Sequence, residues 1–155
     1  MRRTHPIFVP ILALAMLLSM PGCGQQSGGP SPTAATQRAA ATRAAKGETI
    51  VQATIKEIAK LPKPGTVPYK DATIAIHLTN VKALSGKQPA RDILAYVWGM
   101  RDNRMLRAAS LRPGETVTLA ITPWDKVEEQ YGGYNRAELD SPDALTLDAY
   151  WGELE

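Results

Sequence analysis

The chain is poor in the residues that carry most enzyme chemistry. Its 155 residues include one cysteine, Cys23, one phenylalanine, Phe8, and two histidines, His5 and His77. A single thiol excludes an intrachain disulfide. Serine is present at Ser27, Ser31, Ser85, Ser110 and Ser141, but none of these lies in the Gly-x-Ser-x-Gly turn that presents a nucleophile in α/β-hydrolases. Long apolar runs are scarce as well. Ile7 to Met20 is one, broken only by Pro10 and Ser19. As a helix its 14 residues would cover roughly 21 Å, short of the ~30 Å hydrocarbon core, so the run does not read as a membrane span.

What is present around that run reads differently. Arg2 and Arg3 precede it, and Met20-Pro21-Gly22-Cys23 follows it. A basic start, a short apolar stretch and a small-residue exit make a signal peptide. Gly22-Cys23 resembles the lipobox of bacterial lipoproteins, although Met20 and Pro21 depart from its usual first two positions. The resemblance implies that residues 1–22 are removed and that Cys23 becomes a diacylated N-terminal residue. Three acyl chains at ~0.8 kcal/mol per buried CH₂ give effectively permanent anchoring. Gly24, not Asp, follows the cysteine; within lipoproteins this implies the outer membrane, facing the periplasm. The alternative is an ordinary secretory signal with an incidental cysteine. Processing would leave His77 as the sole imidazole and no free thiol. A zinc centre then lacks its three or four ligands, and a cysteine nucleophile is excluded. From Cys23 onward 16 Lys and Arg face 15 Asp and Glu, a net +1. Nucleic-acid binding loses its electrostatic motive at that charge.

Residues 23–47 carry Gly, Ser, Pro, Gln and "TAATQRAAATRAAKG" with no apolar period. Such a segment cannot bury a core and reads as a flexible linker, spanning roughly 25–30 Å r.m.s.. From residue 48 to 155 the pattern alternates with period two, the mark of half-buried strands. Five strands are predicted, in "TIVQATIKEI", "ATIAIHLTNV", "DILAYVWGM", "TVTLAITP" and "LTLDAYW". The third is apolar on both faces, so it should be central with something resting on each side. "DNRMLRAASL" is predicted as a short helix capped by Asp102 or Asn103, and "WDKVEEQYGG" as a helical turn ended by Gly132. Five strands with a small helix after the third is the layout of the OB-fold, a mainly β, five-stranded Greek-key barrel. A small β-sandwich is the other architecture the pattern allows.

Candidate contacts are few. Tyr96 and Trp98 share one face of the third strand, and His77 with Thr79 of the second could flank them. In OB-folds the face of strands two and three binds oligonucleotides or oligosaccharides; alternatively both rings are core beneath the "QYGGYNRAEL" loop. Arg101, Arg104 and Arg107 are spaced by three and would share one face of the predicted helix, where guanidiniums can grip carboxylates. Charge is divided unevenly: residues 23–124 hold 14 basic and six acidic side chains, and residues 125–155 hold two basic and nine acidic.

From "VPYKDATIAIHLTNV" through "WGMRDNR", "LRPG" and "PW" to "AYWGE" the chain resembles a small extracytoplasmic domain associated with bacterial SGNH-type, alginate-acetyltransferase-like systems that modify exported polysaccharide. The SGNH catalytic domain with its Ser, Asp and His motifs is absent, so no catalytic residue carries over. The resemblance implies an accessory role without cofactor or metal, toward an acetyltransferase-like envelope protein or a polysaccharide. The expectation is therefore a non-enzymatic lipid-anchored envelope protein; a small periplasmic hydrolase using His77, or a purely structural lipoprotein, are the alternatives. Mass spectrometry of protein purified from its native membrane should find Cys23 at the N-terminus carrying acyl chains. A free thiol at Cys23, or residues 1–22 still attached, would remove the anchor.

Overall fold

The computed structural model describes residues 48–155. The leader, Cys23 and the linker lie outside the described residues. Seven strands are present: β1 (Thr49–Ile58), β2 (Ala72–Ser85), β3 (Ile93–Arg101), β4 (Arg104–Met105), β5 (Thr116–Pro123), β6 (Asn135–Ala137) and β7 (Ala149–Leu154). The five long ones close into a barrel. β1 pairs with β2 and β5, β2 with β3, and β7 joins β3 to β5. All these pairings are antiparallel except β3 with β7, which is parallel over Leu94–Tyr96 and Ala149–Trp151. This is a closed, mainly β, OB-like barrel, as the alternating pattern predicts.

Alternation explains why the chain closes. Val51, Ala53 and Ile55 of β1, Ile74, Ile76 and Leu78 of β2, Ala95 and Val97 of β3, and Val117, Leu119 and Ile121 of β5 all face one buried interior. Their polar neighbours Gln52, Thr54 and Thr118 point outward and stay at least partly exposed. Burying branched side chains such as these is worth roughly 1.5–3 kcal/mol each, so closure is driven by the interior. Gly152 belongs to that economy of space: a Cβ there would sit 2.9 Å from Leu119 Cδ2 and 3.0 Å from Val97 Cγ1.

The structure departs from the predicted layout in three places. The segment after β3 is no helix. Asp102 and Asn103 have φ of 49° and 59°, the left-handed conformation of a tight hairpin turn, and β4 folds back so that Arg101 faces Arg104. Asn and Asp tolerate that region better than other non-glycine residues. The turn is tied down from outside: the Asp71 carboxylate accepts the Asp102 N–H at 2.8 Å, and the Lys70 carbonyl accepts the Asn103 N–H at 3.0 Å. Only a 3₁₀ turn, Arg107–Ser110, follows, and its Ala108 enters the barrel core where a helix was expected. Second, β7 begins at Ala149; Leu145 and Leu147 belong to and flank a 3₁₀ turn, Pro142–Thr146, and Leu145 is 88% exposed. Third, β6 lies parallel to β2 at Ala72–Ile74, a pairing its short polar sequence does not announce.

The hairpin assignment has a direct check. Asn103→Gly should leave stability unchanged or raise it by a few tenths of a kcal/mol, because glycine enters the left-handed region freely. In a helix capped by Asn103 the same change would instead lower stability by a few tenths of a kcal/mol, so the sign of the change decides between the two.

Candidate functional site

The outer face of β3 is apolar, and a single chain segment covers it. β5 and β7 are antiparallel neighbours, which two residues suffice to join. Residues 124–148 connect them instead. This strap runs through a 3₁₀ turn at Trp124–Lys126, a short helix at Glu128–Tyr131, β6, and the turn Pro142–Thr146. Trp124, Val127, Tyr131, Leu139, Ala144 and Leu147 come from the strap; Ala75, Leu94, Tyr96, Trp98 and Trp151 come from the barrel wall; together they form a second hydrophobic core.

Its rings are ordered. Tyr131 stacks on Trp151 with centroids 3.8 Å apart and planes 7° from parallel. Trp98 meets Trp151 edge-on at 5.5 Å and Tyr134 at 4.7 Å. Tyr96 packs on Trp124 at 4.9 Å, and its hydroxyl donates to Glu138 Oε2 at 3.2 Å. Arg136 lies over both Tyr96 and Trp124 and pairs with Glu138 at 3.5 Å. Burial, and then the Glu138 carboxylate, pushes the Tyr96 phenol above its ordinary pKa. Each aromatic pair adds ~0.5–1.5 kcal/mol beyond area burial, so several together hold the strap firmly.

This arrangement reassigns several expected contacts. Tyr96 is 8% exposed and belongs to the second core, so it is not a ligand platform. His77 does lie on the outer face of β2, but it is 2% exposed rather than solvent-facing. Neither of its ring nitrogens has a hydrogen-bond partner among the described residues. A general base must reach the proton it takes, and no hydroxyl of the described residues is within hydrogen-bond reach of His77. Burial lowers its pKa, with Lys56 adding to the effect against the opposing pull of Asp92, Glu57 and Asp143. Thr79 is half-buried and donates to the Thr54 carbonyl at 3.4 Å.

Trp98 and the arginines come together at one end of β3. The β3–β7 ladder stops at Tyr96 and Trp151. Beyond it the seam opens into a cleft of about 310 Å³, walled by Val97, Trp98, Leu106, Ala108 and Leu154, with Arg107 and Glu153 at its edge. Arg101 lies over the Trp98 ring, 4.6 Å from its centroid. Arg104 is its cross-strand partner, and the Arg107 guanidinium donates to the Glu155 carbonyl at 2.6 Å. The helix expected to align the three arginines is therefore replaced by a hairpin and a 3₁₀ turn, yet all three stay at this end. Leu106, 37% exposed, and Tyr134, 39% exposed, join them; sequence spacing gave no signal for either. Among the described residues no group of three or more His, Cys, Asp or Glu is placed to hold a metal ion. No known family model, curated protein or solved structure matches the chain.

His77 generates a pH dependence of stability. It is neutral in the fold, whereas the unfolded chain takes up a proton near pH 6.5. Its stabilising contribution is complete above that pH and is lost as pH falls toward the depressed folded value, at no more than about 1.4 kcal/mol per pH unit. Urea titrations at pH 7.5 and 5 should show a larger loss of stability for the wild type than for His77→Leu. Equal losses would mean that His77 is not held neutral.

Proposed function

We propose that the protein is a non-catalytic, lipid-anchored adaptor of the bacterial envelope, held at the outer membrane facing the periplasm. Its barrel docks on a partner protein of a surface-polysaccharide system. The observation that carries this reading is the cleft beyond the β3–β7 ladder, an apolar slot with Arg107 in its lining, Arg101 stacked on its Trp98 wall and Arg104 paired across the hairpin with Arg101. Protein interfaces favour buried aromatic anchors with arginine, and Trp98 with Arg101 stacked on it is such a pair. An apolar side chain from the partner fills the slot, and carboxylates beside it meet the guanidiniums. A stable interface covers roughly 800 Å² per partner, so contact extends from the slot over Tyr134 and Met105, both exposed.

The lipobox-like Gly22-Cys23 supplies the anchor, and the resemblance to domains of polysaccharide-modification systems supplies the pathway. An anchor at Cys23 ties the barrel to the membrane on which such machinery works.

Photo-crosslinking in intact cells tests the docking. A crosslinker at Leu106 should capture one defined envelope protein, while the same group at Lys63, on the loop between β1 and β2, should not. Arg101→Glu with Arg104→Glu should reduce the Leu106 product at least about ten-fold while leaving Tm within the range of surface substitutions. A Leu106 product unaffected by the charge reversal would defeat the reading.

A further inference from the structure

We propose a second binding site, for an acidic oligosaccharide, in the concavity where β1 and β2 splay apart. Gln52 pairs with Lys82 and Thr54 with Thr79, so Ala53 stands opposite two residues, Asn80 and Val81. Asn80 takes up the extra residue with φ of 54°. A bulge of this kind bends its strand and re-aims side chains. Here it opens a concavity of about 600 Å³, whose polar lining includes Gln52, Thr54, Asn80, Lys82, Arg91 and Thr116 and whose apolar lining includes Val81 and Pro89. That size lies within the range of small-ligand sites.

The wall is held in place before any ligand arrives. The Gln88 side-chain carbonyl accepts the Ala83 N–H at 2.8 Å, and its amide group donates to the Val81 carbonyl at 2.9 Å and the Pro89 carbonyl at 3.1 Å. The Val81 N–H donates to the Arg91 carbonyl at 2.9 Å. These bonds fix the start of β3 against the end of β2, so little ordering remains to oppose binding.

The lining specifies the occupant. None of the described residues that line the concavity carries a carboxylate or an aromatic ring. Lys82 and Arg91 have no ion-pair partner among the described residues. Amide and hydroxyl groups that both donate and accept surround them, which suits a polyol. Without rings there is no stacking platform for a nucleobase. A uronic-acid sugar is an anion rich in hydroxyls and free of aromatic groups, and a guanidinium can hold its carboxylate bidentately. This site shares no residue with the cleft at Trp98 and does not rest on the docking proposed there.

Amide NMR of the full chain, titrated with a tetramer of galacturonic acid, its neutral galactose counterpart and inorganic phosphate, tests the site. The acidic tetramer should shift Asn80, Lys82 and Arg91 saturably. Arg91→Ala and Lys82→Ala should each weaken binding by about ten-fold, and Arg101→Glu should leave it unchanged. Shifts elsewhere only, unchanged affinity in the Arg91 and Lys82 variants, a neutral tetramer that binds equally well, or phosphate displacing the tetramer at equal affinity would each overturn the proposal.

Discussion

The outer face of β3 cannot be left in water. Leu94, Tyr96 and Trp98 line it, while Ile93, Ala95 and Val97 fill the barrel from the other side of the same strand. A strand apolar on both faces needs two cores, and a five-stranded barrel supplies only one. The strap at residues 124–148 supplies the other. Losing a ring from such a core costs roughly 3–5 kcal/mol, a large part of the 5–15 kcal/mol that holds a domain together. The strap is thus part of the fold, with Trp151 joining it to the barrel through the Tyr131 stack.

The same constraint positions the candidate sites. In an OB-fold the face of strands two and three is the customary ligand platform, and here the chain occupies that platform itself. Tyr96 and His77 are enclosed as a result. Trp98 lies at the strap's margin, where the strap's Tyr131 and Tyr134 meet it edge-on. The β3–β7 ladder also ends there, so an apolar slot and an aromatic ring coincide beside the arginine hairpin. The candidate site therefore lies at the seam of the barrel rather than on its face, and a second concavity is opened by the β1–β2 bulge.

Electrostatics follows the same division. The acidic strap carries its own cation, Arg136, which pairs within the strap at Glu138 and lies over Tyr96 and Trp124. Lys82 and Arg91 find no such partner among the described residues, and Arg101 of the hairpin lies over Trp98.

Period-two alternation marked the five barrel strands, because one face of each had to be buried; β1 runs over the same residues, Thr49–Ile58, that the pattern marks, while the last strand begins four residues later than its pattern, at Ala149. The two-faced apolarity of β3 likewise announced that something rests on it. Three features were beyond a local pattern. A spacing of three among arginines fits a helix and a hairpin equally, and the choice fell to the Asp102–Asn103 turn, held by Asp71 and Lys70 from a distant loop. His77 lies among polar-face residues in sequence, but burial is set by what lands on a strand, and the strap's path is not written in β2. The two concavities exist only where ladders end or slip, which is a relation between strands that neither strand's sequence contains by itself.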